Sequence, residues 1–333
     1  MLLPCATAMG ATFDRDLIVE AGKKLRRETR EKCCQILLAP TVCLQRSSLI
    51  GRGFEASGED PWLSGTLAAD YINGVQSEGV GCAIKHYAAH NQSSDPHDDS
   101  IWASERTLRE VHLLPFQIAT RQSNPWTYMA SYHKINGVHT SEDPSLINHV
   151  LRDDWKWDSL VMSDWFGMCS TAASLNAGLD LEMPRPSRWR GGLLLWLWLA
   201  GKVKTPTIDS AVRNLLNLIN KVQPSLEPLN VPVGDPLEER ELCRRIAGES
   251  IVLLKNKKNI LLLDPKAGGK TYALIGPGPL YPAMSGGGLA DLVGYYVSQL
   301  LDALKELVGA ENVTANIGSY GKQYSLPSRA SSP

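Results

Sequence analysis

Over the first 222 residues, short apolar runs alternate with amphipathic helical stretches, and this alternation limits the fold more than any other feature. "QILLAP", "VGCAIKH", "TYMASY" and "SLVMSD" are too short for helices. They are apolar throughout rather than at every second residue, as strands covered on both faces are. "AGLDLEM" is a fifth, weaker run. Between them lie helical patterns. Residues 14–33 place Leu17, Ile18, Ala21 and Leu25 at helical spacing behind an Asp14 cap, and 65–77 follows. Ser104 opens a helix to about Gln122. In "DPSLINHVLRDDW" Asp143 caps the start and Pro144 takes the first helical position. Two further helices are expected near 190–200 and 206–222. Strands separated by helices predict an α/β fold with a parallel sheet and helical crossovers. Five βα units are readable where a closed barrel of this type has eight. The sheet is therefore either open or part of a barrel entered partway.

The expected domain layout is a barrel domain over 1–222 and a linker at 223–236, marked by Pro224, Pro228, Pro232 and Pro236. A second α/β segment follows over 237–320. It opens with a helix near 236–254, then the strand in "KTYALIGPG", the "SGGG" loop at 285–288 and a helix near 295–307. Residues 321–333 have no core-forming pattern.

Composition removes several functions. Charged residues make up 21% and the net charge is −1, which leaves no electrostatic footprint for nucleic acid. No apolar run reaches the roughly 18 residues of a membrane span. The nearest, "LLLWLWLAG" from Leu193, reads as a buried helix. The first residues lack the basic start and long apolar core of a signal peptide. The seven cysteines are scattered, with no CxxC pair, and read as buried thiols rather than metal ligands or disulfides.

The chemistry gathers where the strands end. Arg52 follows the first strand in "GRGFEASGED". Lys85 and His86 end the second, Tyr132 the third and Asp164 the fourth, with Asp180 and Glu182 in the fifth. Carboxyl ends of parallel strands form the active face of barrels and the crevice of open sheets. Buried charges are costly unless paired, so such a cluster is poor packing material. Each residue alone reads as a cap, a solvated pair or a wet-tipped core residue; the joint placement is the signal. Trp165 and Phe166 beside these donors suit a sugar, whose C–H face packs on aromatics while its hydroxyls need polar partners. "GRGFE" is not a phosphate loop, since it lacks the G-x-x-x-x-G-K-[ST] spacing.

The stretches "GRGFEASGEDPWLSGTLAADYINGVQSEGVGCAIKHYAAHNQ", "SERTLREVHLLPF", "MASYHKINGVHTSED", "VMSDWFG", "AGLDLEMPRPSRWRGG" and "AGESIVLLKN" together resemble glycoside hydrolase family 3, with the closest look to its fungal β-glucosidases. The resemblance covers residues 4 to 320. It implies a (β/α)8-type barrel followed by an (α/β)6 sandwich, retaining hydrolysis of β-glycosides and no cofactor. It also implies that Asp164 is the nucleophile, that Arg52, Lys85, His86 and Tyr132 bind glucose, and that Trp165 walls the pocket. Lys85 and Arg52 are then expected to hold the Asp164 pKa low. Retention needs a second carboxyl about 5–5.5 Å away. The resemblance places that glutamate beyond "SGGG", in a part not represented here, and a sugar-gripping Asp ahead of Met1. His90 and His133 stand where the resembled enzymes have Asn.

The expected partner is a β-glucoside or oligosaccharide, with terminal glucose released; a fragment with impaired activity is expected. The alternatives are a β-xylosidase of the same family or a truncated, non-catalytic sugar binder. An N-acetylglucosaminidase fits less well, because the loop after the Lys-His strand, "AAHNQSSDPHDD", lacks the Gly-rich context of the catalytic His. Oligomeric state and compartment carry no sequence signal.

Overall fold

The computed structural model describes residues 2–91, 99–226, 237–259, 261, 263–265, 269–286, 294 and 297–318. It divides into two compact units, Leu3–Val252 and Leu253–Pro333.

In the first unit the five apolar runs become strands: β1 (Ile36–Leu37), β2 (Gly81–Tyr87), β4 (Thr127–Ala130), β7 (Leu160–Trp165) and β8 (Leu181–Met183). They pair side by side in parallel, in the order β1-β2-β4-β7-β8, as crossover connections require. The crossovers are helical. Short α1 (Ala6–Ala11) precedes α2 (Arg15–Glu31), whose Asp14 carboxylate accepts from Leu17 N as a cap should. Helix α3 (Pro61–Gln76) begins under an Asp60 cap, and α4 (Glu105–Thr107) under a Ser104 cap. A π-helical turn, Leu108–His112, joins α4 to α5 (Leu114–Ser123), and a second π-helical segment spans Ser145–Asp154. There Asp143 Oδ1 accepts from Ser145 N at 2.8 Å.

Strand alternation sorts the side chains onto two faces. Cys82, Ile84, Tyr128 and Val161 join the outer core with Ile18, Ile72, Phe116 and Ile147 from the helical layer. Ala83, Met129, Leu160 and Met162 point the other way and pack with Leu218 and Val222. Those two belong to α8 (Thr205–Val222), which follows α6 (Ala172–Asn176) and α7 (Gly192–Leu199). Lys85 and Asp164 continue the inner-face rows of Ala83 and Met162 to the carboxyl ends.

A second, small sheet joins β3 (Ser100–Ile101), β5 (Lys134–Ile135) and β6 (Val138–His139). Its β5–β6 hairpin turns on Asn136 and Gly137, with φ of 50° and 88°, the left-handed pair such turns require.

Three expectations are corrected. Helix α9 (Leu237–Glu249) was expected to open the second segment, with the boundary at 223–236. It packs instead in the first unit, because Leu242 and Ile246 bury against Leu17 and Ala21 of α2. Helix α7, expected to be buried, has no buried residue; Trp196 is 71% exposed and Leu199 61%, and no described element covers them. Of the seven cysteines, only Cys43 and Cys82 are buried.

In the second unit, β9 (Tyr272–Ile275) pairs in parallel with β10 (Val313–Asn316), which α10 (Leu300–Val308) precedes in the chain. Most of the expected linker, part of the "SGGG" loop and the tail at 321–333 lie outside the described residues.

Candidate active site

Asp164 is 7% exposed near the end of β7. Its Oδ1 accepts from Trp165 N at 2.7 Å, which fixes the carboxyl plane. Its Oδ2 is buried and has no hydrogen-bond partner among the described residues. The contact nearest to one is His86 Nε2 at 3.5 Å. That contact is not an ion pair. His86 Nε2 lies 3.1 Å from Arg52 Nη2, and a guanidinium can only donate, so Nε2 offers a lone pair rather than a proton. Burial, then the charges of His90, Lys85 and Arg52, hold His86 well below the ordinary histidine range and keep it neutral.

Arg52 precedes the turn Gly53–Glu55, and this turn brings Glu55 back onto it. Nε and Nη2 of Arg52 donate to Oε1 and Oε2 of Glu55 at 2.8 and 2.9 Å, a two-point pair. Thr41 adds a bond to Oε2 at 3.3 Å. Burial pushes Glu55 upward, but the Arg52 bonds and charge outweigh it and hold the carboxyl below its usual range. Lys85 ends its row without an ion pair among the described residues; burial lowers its pKa against the pull of Glu55 and Asp164. With Arg52 and Lys85 positive and Glu55 and Asp164 negative, the site's formal charges cancel.

The Tyr132 hydroxyl donates to Trp165 O at 2.9 Å and lies within reach of the Asp164 carboxylate. One proton serves one acceptor at a time, and the structure gives it to the carbonyl. Burial first, then Asp164, raises the Tyr132 pKa, so the phenol stays protonated. The β5–β6 hairpin braces this strand end: Thr140 Oγ1 donates to Ser131 O at 2.7 Å and Thr140 N to His133 O at 3.1 Å. Trp165 packs against the cluster containing Met162, while Phe166 is exposed under the Arg188 guanidinium at 4.1 Å.

The structure thus brings Arg52, Lys85, His86, Tyr132 and Asp164 together. It overturns one expectation about them. The Asp164 pKa is raised rather than lowered, because burial outweighs the Trp165 bond, the nearby Tyr132 hydroxyl and the cations Arg52 and Lys85. It also removes Asp180 and Glu182 from the cluster. Asp180 sits before β8, bonded to Arg152, Asn214 and Val161 N. Glu182 accepts from Ser187 Oγ and from the amides of Arg188, Trp189 and Arg190, clasping that loop. Both are scaffold. Sequence reading missed Glu55 as a partner of Arg52; its signal was the three-residue spacing inside "RGFE". His90 and His133 were noted only as departures, and both prove to be buried, His90 against Arg52 and His133 against His90.

A buried carboxylate with one fixed and one unbonded oxygen, set among cations at the carboxyl ends of parallel strands, marks the candidate reactive face of an α/β protein. The chain belongs to glycosyl hydrolase family 3: residues 1–218 match the family's N-terminal domain. It is 43% identical over 321 residues to a probable β-glucosidase J of Emericella nidulans, covering 96% of this chain and 37% of that protein. Against a probable β-glucosidase J of Aspergillus fumigatus, identity is 45% over 328 residues, covering 96% and 38%. The chain therefore spans about two-fifths of the length of the curated relatives it matches. Among solved structures, the β-glucosidase of Kluyveromyces marxianus in complex with glucose superposes with a TM-score of 0.90 at 37% identity, covering 97% of this chain and 40% of that one. β-Glucosidase 3B from Thermotoga neapolitana in complex with glucose gives 0.83 at 32%, covering 94% and 44%.

Proposed function

We propose that this chain carries the nucleophile half of a retaining β-glucosidase acting on terminal β-glucosyl residues. The observation that carries the reading is the Asp164 carboxyl, anchored at Oδ1 and unbonded at a buried Oδ2. In this reading Oδ2 attacks the anomeric carbon, the bond to the aglycone oxygen breaks, and that oxygen leaves with the electron pair. Water then hydrolyses the glycosyl ester and frees the carboxylate. Binding of the sugar falls to Arg52, Lys85, His86 and Tyr132, with the Trp165 ring as a wall. Glu55 is a poor second carboxyl, because Arg52 occupies both of its oxygens; the acid/base role is assigned to no residue here.

An aryl 2-deoxy-2-fluoro-β-glucoside with a good leaving group tests this, since its departure needs little protonation. The expected product is a mass increase of one fluoroglucosyl group on the peptide carrying Asp164. Labelling on another residue, or unchanged labelling of Asp164→Ala, refutes the assignment. Faster labelling by the matching xyloside, which lacks the hydroxymethyl group, would make the protein a β-xylosidase instead.

A further inference from the structure

Two histidines, His86 and His90, contact Arg52 and a third, His133, contacts His90, and the direction of these bonds assigns a tautomer to each. Arg52 Nη2 is 3.1 Å from His86 Nε2, and Nη1 is 3.3 Å from His90 Nε2. Both ring atoms must accept, because the guanidinium has no lone pair to offer. A neutral imidazole that accepts at Nε2 carries its proton on Nδ1. His90 Nδ1 is 3.0 Å from His133 Nδ1. His90 is therefore the donor there, and His133 accepts and carries its own proton on Nε2. The bonds run one way, from Arg52 through His90 to His133.

The count on the guanidinium is equally tight. Of its five N–H groups, two go to Glu55, one to His86 and one to His90, leaving one on Nη1. The relay holds only while its rings are neutral, since a further proton on His90 would set an N–H against Arg52. The groups facing His90 favour neutrality: Arg52, Lys85, His86 and His133 are basic, and Tyr132 is a protonated phenol. The acids nearby are engaged elsewhere, Glu55 on Arg52 and Asp164 on Trp165 N. Burial, with His133, Arg52 and Lys85, takes the His90 pKa down to about 3.

We infer that His90 and His133 are positioning residues: a neutral, one-way hydrogen-bond relay that fixes the rotation of the Arg52 guanidinium and reserves its one unused Nη1–H for a sugar hydroxyl. The inference rests on the reading of Arg52 as a sugar-binding residue. It makes His90 and His133 interdependent, since neither can do its part without the donor–acceptor order set by the other.

The tautomers are directly readable by long-range ¹H–¹⁵N correlation on histidine-labelled protein. His86 and His90 should show the less common Nδ1–H form and His133 the Nε2–H form, unchanged from pH 8 to 5. An Nε2–H spectrum for His90, or its protonation in that range, overturns the relay. A second arm measures glucose affinity by calorimetry in His90→Asn, His133→Asn and the double variant. Each single change should weaken binding roughly tenfold. The double should be no weaker than the poorer single, because two amides can restore a donor–acceptor pair. Losses that multiply to about a hundredfold overturn the relay. If the unsubstituted protein binds no glucose while the tautomers are as stated, the β-glucosidase reading fails and the relay stands.

Discussion

Acidification should destabilise the first unit before any carboxylate outside the site matters, and the buried histidines set the size of the effect. His90 is 4% exposed and His112 6%; burial is the leading cause that takes their pKa values to about 3 and about 4, from 6.5 when unperturbed. Between 6.5 and those values the unfolded chain binds protons that the folded chain does not. Stability is therefore full above pH 6.5 and falls as the pH drops toward the folded values. From pH 8 to 5, a shift of this size costs about 2 kcal/mol for each histidine, or roughly 4 kcal/mol for the two. His86 works in the same direction. Glu55, held low, keeps its stabilisation above its unfolded value and loses it only below, so it drops out of this window. The raised carboxyls Asp164 and Asp180 work with the opposite sign, gaining stability as they protonate. Urea unfolding at pH 8 and pH 5, for the parent protein and His90→Asn, cancels every other group. The variant should lose about 2 kcal/mol less than the parent between the two pH values. Equal losses in both proteins would refute the claim that His90 is held neutral by burial.

Glu55→Gln removes one negative charge from a neutral cluster and leaves Arg52 half-buried without its two-point partner. It should cost about 1–3 kcal/mol in thermal unfolding and lower the Asp164 pKa, readable as an acid-side shift in the rate profile with an aryl glucoside. Asp164→Asn relieves a buried oxygen that has no partner. It should abolish turnover while holding or raising stability by about 1 kcal/mol; a clear loss of stability would show that the carboxylate is better paired than Oδ2 indicates. Gly22→Ala places a Cβ 2.6 Å from Tyr71 O and 3.0 Å from Gly74 Cα, where α2 and α3 meet. Overpacking there should cost about 1–3 kcal/mol, and a melting temperature equal to the parent's would refute so close a helix contact.

The parallel sheet was legible because burial on both faces writes itself as continuous apolar runs, and all five runs end within three residues of where their strands end. Boundaries of units were not legible. Four prolines near 223–236 mark a flexible composition, but composition does not say which side of a linker a helix packs on. Leu242 and Ile246 settle that by burying against α2. The β5–β6 hairpin was missed although "NG" between β-forming residues is the strongest short hairpin signal. Its strands have two residues each, too few to show a period. It matters to the site, because Thr140 holds the chain at Ser131 and His133 from that hairpin.

The gathering of these residues at the strand ends was legible and their electrostatics were misread, and the reason lies in where the donors already point. Counting charges near Asp164 predicts a depressed pKa, since Arg52 and Lys85 are both cationic. But a cation lowers a carboxyl pKa most when it also donates to it. Four of the five Arg52 donors are engaged by Glu55, His86 and His90, and Lys85 forms no ion pair within 4.0 Å among the described residues. The one imidazole facing Oδ2 presents a lone pair. Burial then dominates, and the carboxyl sits above its ordinary range. None of this follows from residue types or spacing; it follows from the direction of each hydrogen bond. The same directions yield the functional consequence. If Asp164 is the nucleophile as proposed, a site that satisfied Oδ2 would be more stable in the free protein and a weaker nucleophile, because each bond to that oxygen must be broken before it can attack.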